Sequence, residues 1–254
     1  MKTRKRESKQ AREWPRFVFA ASALLFAAVA LIWRDAATWQ NLHHLLHTPV
    51  GRIAGICLLL AQVIGAIAII YPPFARTGFI VLGIVYTVFC LASIPDIRAT
   101  PTVYGPYVGL FEQLSLVCGA IAGYAATKRN AARAQTLTVV ARIGLGLCAV
   151  SFTLAQIFYF GVTARLVPTW IPPDQNFWAV LTTVAFALAA IAILANRHAG
   201  LAIELMTLML VLFGLLVWVP KLVTQPGEHG NWSEFALNFL IAGAAGMVGD
   251  VKRS

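Results

Sequence analysis

Residues 52–71 read RIAGICLLLAQVIGAIAIIY, and after Arg52 the next charged residue is Arg76. As an α-helix this stretch would run about 30 Å, the thickness of a bilayer's hydrocarbon core. It is apolar all round. A surface helix of a water-soluble bundle would instead alternate a polar and an apolar face. A lone strand in lipid would leave backbone groups unpaired, so helix is the expected state.

The same pattern recurs outward in both directions. Eight spans are expected: 17–33, 52–71, 78–95, 107–126, 140–160, 177–195, 200–219 and 234–249. The gaps carry helix breakers or charge, as in Tyr71-Pro72-Pro73, Lys128-Arg129-Asn130, Asn196-Arg197-His198 and Gln225-Pro226-Gly227. The whole chain is 59% hydrophobic and only 12% charged, well below the roughly 25–35% charge of a soluble surface. The expected fold class is therefore all-α: a polytopic membrane helix bundle of about eight transmembrane helices.

Lysine and arginine set the expected orientation. With the N-terminus inside, fifteen basic residues fall on the inner side and five on the outer (Arg34, Arg52, Arg98, Arg165, Lys221). That asymmetry places both termini in the cytoplasm of a bacterial inner (plasma) membrane. Six of the seven tryptophans then lie near the outer interface, which suits their amphipathic rings. The net charge of +10 faces anionic lipid under this topology and does not point to nucleic acid. The basic tail 1–16 is expected to be topogenic, with residues 2–9 disordered. The first apolar run leads into Ile32-Trp33-Arg34-Asp35 without a small-x-small cleavage pattern, so it reads as a retained helix.

The spans divide four and four around a basic cytoplasmic linker, 127–139. In each half a first helix enters a long outer loop with tryptophan and proline (residues 39–49; 166–173). A second helix leads to a turn with one arginine (Arg76; Arg197), and a third exits through proline (Pro95; Pro220). The fourth opens with a glutamate, Glu112 or Glu234. Four is even, so the two units, 17–126 and 140–250, would be parallel repeats related by an axis along the membrane normal.

The outer loop of the second half, Arg165-Leu166-Val167-Pro168-Thr169-Trp170-Ile171-Pro172-Pro173-Asp174, precedes Phe177-Trp178 and an alanine-rich helix. It resembles the P-x-W-[IL]-P-P loop of the DoxX-like membrane proteins. Pro168, Trp170, Pro172 and Pro173 carry the likeness, which extends over residues 142–250 and reaches the first half only by architecture. The resemblance implies a four-helix unit and a place near quinone-linked or thiol redox systems, as an accessory membrane subunit with a redox partner. Two family features are missing. Where relatives show S-G-x-x-E, this chain has Leu181-Thr182-Thr183-Val184-Ala185-Phe186. Its first helix ends Gln156-Ile157-Phe158-Tyr159-Phe160.

Chemistry-bearing residues are sparse. Cys57, Cys90, Cys118 and Cys148 fall in four different spans without a Cys-x-x-Cys pair, so no iron–sulfur cluster is expected. His43, His44, His47, His198 and His229 lie outside the spans, so no transmembrane haem is expected. His43 and His47 have the i, i+4 spacing of a divalent metal site on a short helix, with a third ligand from His229, Glu228, Asp96 or Asp35. The same segment also reads as an interfacial helix with histidines in water.

Glu112 and Glu234 lie about one turn inside the outer ends of their spans, and Glu204 near an inner end. Glu112 and Glu234, with Gln113, Asn238, Arg98 and Lys221, could line an outer vestibule. It could relay protons beside a quinone head group or bind a small cation; carboxylates reaching the interface are the plainer reading. Gln62 and Gln156, at mid-span, are expected to bond neighbouring helices. No P-loop, nucleophile–histidine–acid set, dinucleotide fingerprint or zinc-hydrolase motif occurs. Three functions remain open: a quinone-linked subunit, a small-solute transporter of permease type, and a non-catalytic membrane scaffold.

Overall fold

The protein is described by a computed structural model, with backbone for residues 2–253 and side chains for residues 13–250. It is helical throughout, with no strand among the described residues. Seven helical stretches are long and apolar enough to cross a membrane: Trp14–Ile32, Pro49–Ile70, Ala75–Ala99, Gly105–Ala126, Ala131–Phe158, Gln175–Leu194 and Ala199–Thr224.

The helices form a sequential ring. The first, α1 (Lys2–Ile32), is followed by the short α2 (His43–Leu46), then α3 (Pro49–Ile70) and α4 (Ala75–Leu91). A short α5 (Ile94–Ala99) leads to α6 (Gly105–Ala126) and α7 (Ala131–Phe158). Next come the short α8 (Phe160–Leu166), α9 (Gln175–Leu194), and α10 (Ala199–Phe213) with its π-helical turn Gly214–Trp218. The short α11 (Val219–Thr224) and α12 (His229–Arg253) end the chain. Each long helix packs on the next, α12 closes the ring on α1, and α6 and α12 also touch across the middle.

Three boundaries differ from the sequence expectation. Residues 2–16 continue α1 as helix rather than forming a disordered tail. The linker 127–139 shrinks to 127–130, because Asn130 caps α7: its side chain accepts the Arg133 N–H at 3.1 Å. The eighth expected span, 234–249, lies within α12, which is not among the apolar seven. Its face is instead built of small residues. Ala236, Ala242, Ala244 and Ala245 are fully buried among α1, α6 and α10. A central helix needs close packing more than oily length.

The outward faces are apolar. On α3, Ile53, Ile56, Leu60, Ile64 and Ile67 are exposed at spacings of three and four, and α10 shows Leu201, Leu205, Leu208 and Leu212. In water such stripes would cost about 25 cal/mol per Å2. In lipid they are solvated.

Polar side chains inside the bundle tie helices together. Gln62 donates to the Ala23 carbonyl of α1 at 2.9 Å. Gln156 accepts from Thr183 of α9 at 2.8 Å and from Thr182 at 3.3 Å. Arg142 of α7 donates to the Ile193 and Leu194 carbonyls in the last turn of α9, where Ile193 otherwise accepts a long 3.3 Å bond from the Asn196 N–H. Arg142→Leu should lower stability by about 2 kcal/mol, the scale of a charged hydrogen bond. The check is the thermal-unfolding midpoint in mild detergent. An unchanged midpoint would show that the last turn of α9 is satisfied without Arg142.

Candidate functional site

One end of the bundle carries the longer connections and the starts of α6 and α12. Pro106 sits in the first turn of α6, where its missing N–H costs nothing. Seven residues after Gly105 comes Glu112, and five residues after His229 comes Glu234. Both carboxylates are half-buried on helices that pack directly together, close enough for their charges to interact. Lys221 acts electrostatically on Glu234 while its Nζ rests 4.6 Å above the Trp218 ring. Arg98 is exposed in the last turn of α5, and no ion pair joins it to either glutamate among the described residues.

The two amides of the expected vestibule both bury their oxygens. Gln113 is fully buried; its Nε2 donates to the Trp39 carbonyl at 2.9 Å, and its Oε1 has no partner. Asn238 lies one turn beyond Glu234, with its Oδ1 buried and unpartnered.

The segment before α2 packs on the same two helices, a placement the sequence reading missed. Residues 39–41, Trp-Gln-Asn, lie against α6 and α12. A Cβ placed on Gly109 would come within 2.9 Å of Asn41 Oδ1, and one on Gly230 within 3.6 Å of the Trp39 ring. Asn41 adopts φ 57°, a left-handed conformation that asparagine tolerates better than most residues. Trp39 Nε1, Gln40 Oε1 and Asn41 Nδ2 are all buried without partners. Gln40 is only 1% exposed, too little to draw its hydrogen bonds from bulk water. The signal in the sequence was a polar tripeptide ending in asparagine, opposite a glycine in α6.

Five unpartnered buried polar atoms thus belong to α6, α12 and the segment packed on them. Three are acceptors (Gln40, Gln113, Asn238) and two are donors (Trp39, Asn41). Left dry, each costs about 1–3 kcal/mol. The arrangement suits a polar guest that both donates and accepts, with acceptors in the majority.

A cavity of about 210 Å3 opens between α7, α9 and the π-turn. Gln156, Pro168, Trp178, Thr182, Phe213 and Trp218 line it. The π-turn ends where Val219 N–H bonds back to Gly214, immediately before Pro220, which has no N–H to offer. The loop motif builds this wall. Pro168 faces the cavity, Pro172 accepts Trp178 Nε1–H at 2.9 Å, and Pro172–Pro173 is a cis peptide. Trp170 is exposed, and Pro173 precedes Asp174, which caps α9 by accepting the Phe177 N–H at 3.0 Å. At the other end of the bundle, Glu204 lines a cavity with Trp14 and Asp250.

The histidines pair differently from their i, i+4 expectation. His43 and His44, not His43 and His47, converge, and both reach Asp96 Oδ1. α2 has only four residues, so the two neighbours splay toward α5 while His47 only approaches the His44 ring, at 6.5 Å. His229 instead pairs with Asp35 at 2.9 Å. Cys90, Cys118 and Cys148, set apart in sequence, are brought within interacting range of one another, and no disulfide links them.

No family model, no curated protein and no solved structure matches the chain.

Proposed function

We propose that the chain is an eight-crossing protein of the bacterial inner membrane, with both termini cytoplasmic. It is built from two parallel DoxX-like repeats and serves as a membrane subunit in quinone-linked redox chemistry. The contact pattern supports the repeat. The contacts α1·α3, α3·α4 and α4·α6 have counterparts in α7·α9, α9·α10 and α10·α12. The junction α6·α7 has its counterpart in α12·α1, and α6·α12 lies where a two-fold axis would pass. The short helices also correspond: α2 with α8, and α5 with α11. On this reading Glu112 and Glu234 are equivalent residues facing each other across the axis, at the outer side of the membrane.

The observation that carries the function is this carboxylate pair on two packed helices, α6 and α12, each of which also carries a buried, unpartnered amide oxygen. Reducing a quinone to a quinol takes up two electrons and two protons. The electrons would come from a redox partner subunit. The carboxylates would exchange the protons with the outer side. Trp39 Nε1–H and Asn41 Nδ2–H would donate to the quinone oxygens, and the Gln113 and Asn238 amide oxygens would accept from the quinol hydroxyls. The apolar cavity beside Trp178 and Trp218 would take an isoprenoid tail.

Solvent extraction of the purified chain tests this reading directly. An ultraviolet-absorbing isoprenoid quinone should leave with the protein at near one equivalent and be depleted in a Gln113→Leu, Asn238→Leu variant. Phospholipid alone in the extract would overturn it. The acceptor-rich set on α6, α12 and the segment packed on them favours one second reading, carriage of a small organic cation, which uptake into proteoliposomes would reveal. Cysteine labelling from the two faces checks topology: residues 128–130 should react only from the cytoplasmic side.

A further inference from the structure

We propose that His43, His44 and Asp96 form a binding site for one divalent metal ion of the zinc and copper class. His43 Nε2 lies 2.9 Å and His44 Nε2 2.8 Å from the same Asp96 oxygen. The three ligand atoms all fall within 4.8 Å of one another. Two imidazole nitrogens with a carboxylate oxygen are a borderline-soft donor set, suited to these ions rather than to magnesium or calcium.

The fit needs little movement. Ligand bonds of about 2.0–2.2 Å around a tetrahedral ion hold their donors roughly 3.3 Å apart. The nitrogen–oxygen distances therefore open by about 0.5 Å, and the two nitrogens, now within 4.8 Å of each other, draw in toward the same spacing, within the reach of side-chain rotation. Each ring would offer its Nε2 lone pair, with the proton held on Nδ1. The cluster is open on one side, with His44 46% and Asp96 26% exposed, leaving room for water as a fourth ligand.

The scaffold beneath the cluster is firm. Leu42, directly before the histidines, is fully buried, and Leu46 after them packs on the core. The Asp96 backbone is held in α5, where its carbonyl accepts from Thr100 N at 2.9 Å and Oγ1 at 3.0 Å. The ligands come from segments about fifty residues apart, so a bound ion would pin α2 to α5. Residues 39–41 precede α2 directly. The metal would thereby hold that segment down on α6 and α12.

The test is titration of Zn2+ into the full chain in detergent, with any affinity tag removed. One equivalent should bind. Binding should disappear in His43→Gln, His44→Gln, and Asp96→Asn should weaken it on the order of tenfold or more. His47→Gln should leave it unchanged. Zinc should raise the thermal midpoint of the native chain and not of the double variant. The electron paramagnetic resonance spectrum of bound Cu2+ should show two coupled nitrogens, falling to one in His44→Gln. That single variant keeps the test decisive if the double variant fails to fold. Equal zinc uptake by the native chain and the histidine variants, or loss of binding in His47→Gln, would overturn the assignment.

Discussion

Replacing Glu112 and Glu234 together by glutamine should cut quinone-dependent electron transfer in inner-membrane vesicles by about 100-fold, the lower end of what a positioned acid–base group contributes. Glutamine keeps the volume and hydrogen-bonding capacity of glutamate but cannot exchange a proton. The thermal midpoint should hold steady or rise, because two half-buried carboxylates whose charges interact repel when both are ionised. This opposite movement of activity and stability separates a working pair from a structural one. Carboxylates that only anchored the helix ends would give reduced stability with unchanged turnover. Each single variant should lose most of the activity, since the pair works as a unit. Full turnover in the double variant would remove proton exchange at this site from the proposed function.

Most of the architecture could be read from apolar runs, because burial in lipid demands length and hydrophobicity that composition reveals directly. All seven apolar stretches begin or end within three residues of an expected span at one boundary or more, and the interior glutamines bridge helices as expected. What composition could not reveal was long-range choice. Glu112 and Glu234 were paired by an assumed repeat, and the α6·α12 contact brings them together. The descent of residues 39–41 onto α6 depends on a partner seventy-four positions away, Gln113, and leaves no local periodicity to detect. The histidines illustrate the same limit. Helical spacing favoured His43 with His47, but Asp96, fifty-three residues on, selects His43 with His44. α12 shows the reverse failure. Hydropathy ranks it below the other long helices, yet its small residues place it at the centre.

That central position makes Gly243→Leu the most damaging single change expected in the chain. A Cβ on Gly243 would sit 2.7 Å from the Phe19 backbone nitrogen and 2.8 Å from its Cα. The obstacle is main chain, so no rotamer change can absorb it, and α1 must move away from α12. Phe19, fully buried, meets the Tyr86 ring edge-on at 5.9 Å, so the shift would spread into α4. Gly119 makes the matching contact on α6, where a Cβ would meet the Ala244 Cα at 2.7 Å. Overpacking of this kind costs about 3 kcal/mol, and more where backbones collide. Gly200→Leu serves as the comparison, because nothing lies within 4 Å of a Cβ there. In mild detergent Gly243→Leu should elute as aggregate on size exclusion, while Gly200→Leu stays monodisperse with an unaltered midpoint. Should both variants fold equally well, α1 and α12 would not be in backbone contact. The ring would then be open between the first helix and the last, with α12 held chiefly by α6 and α10.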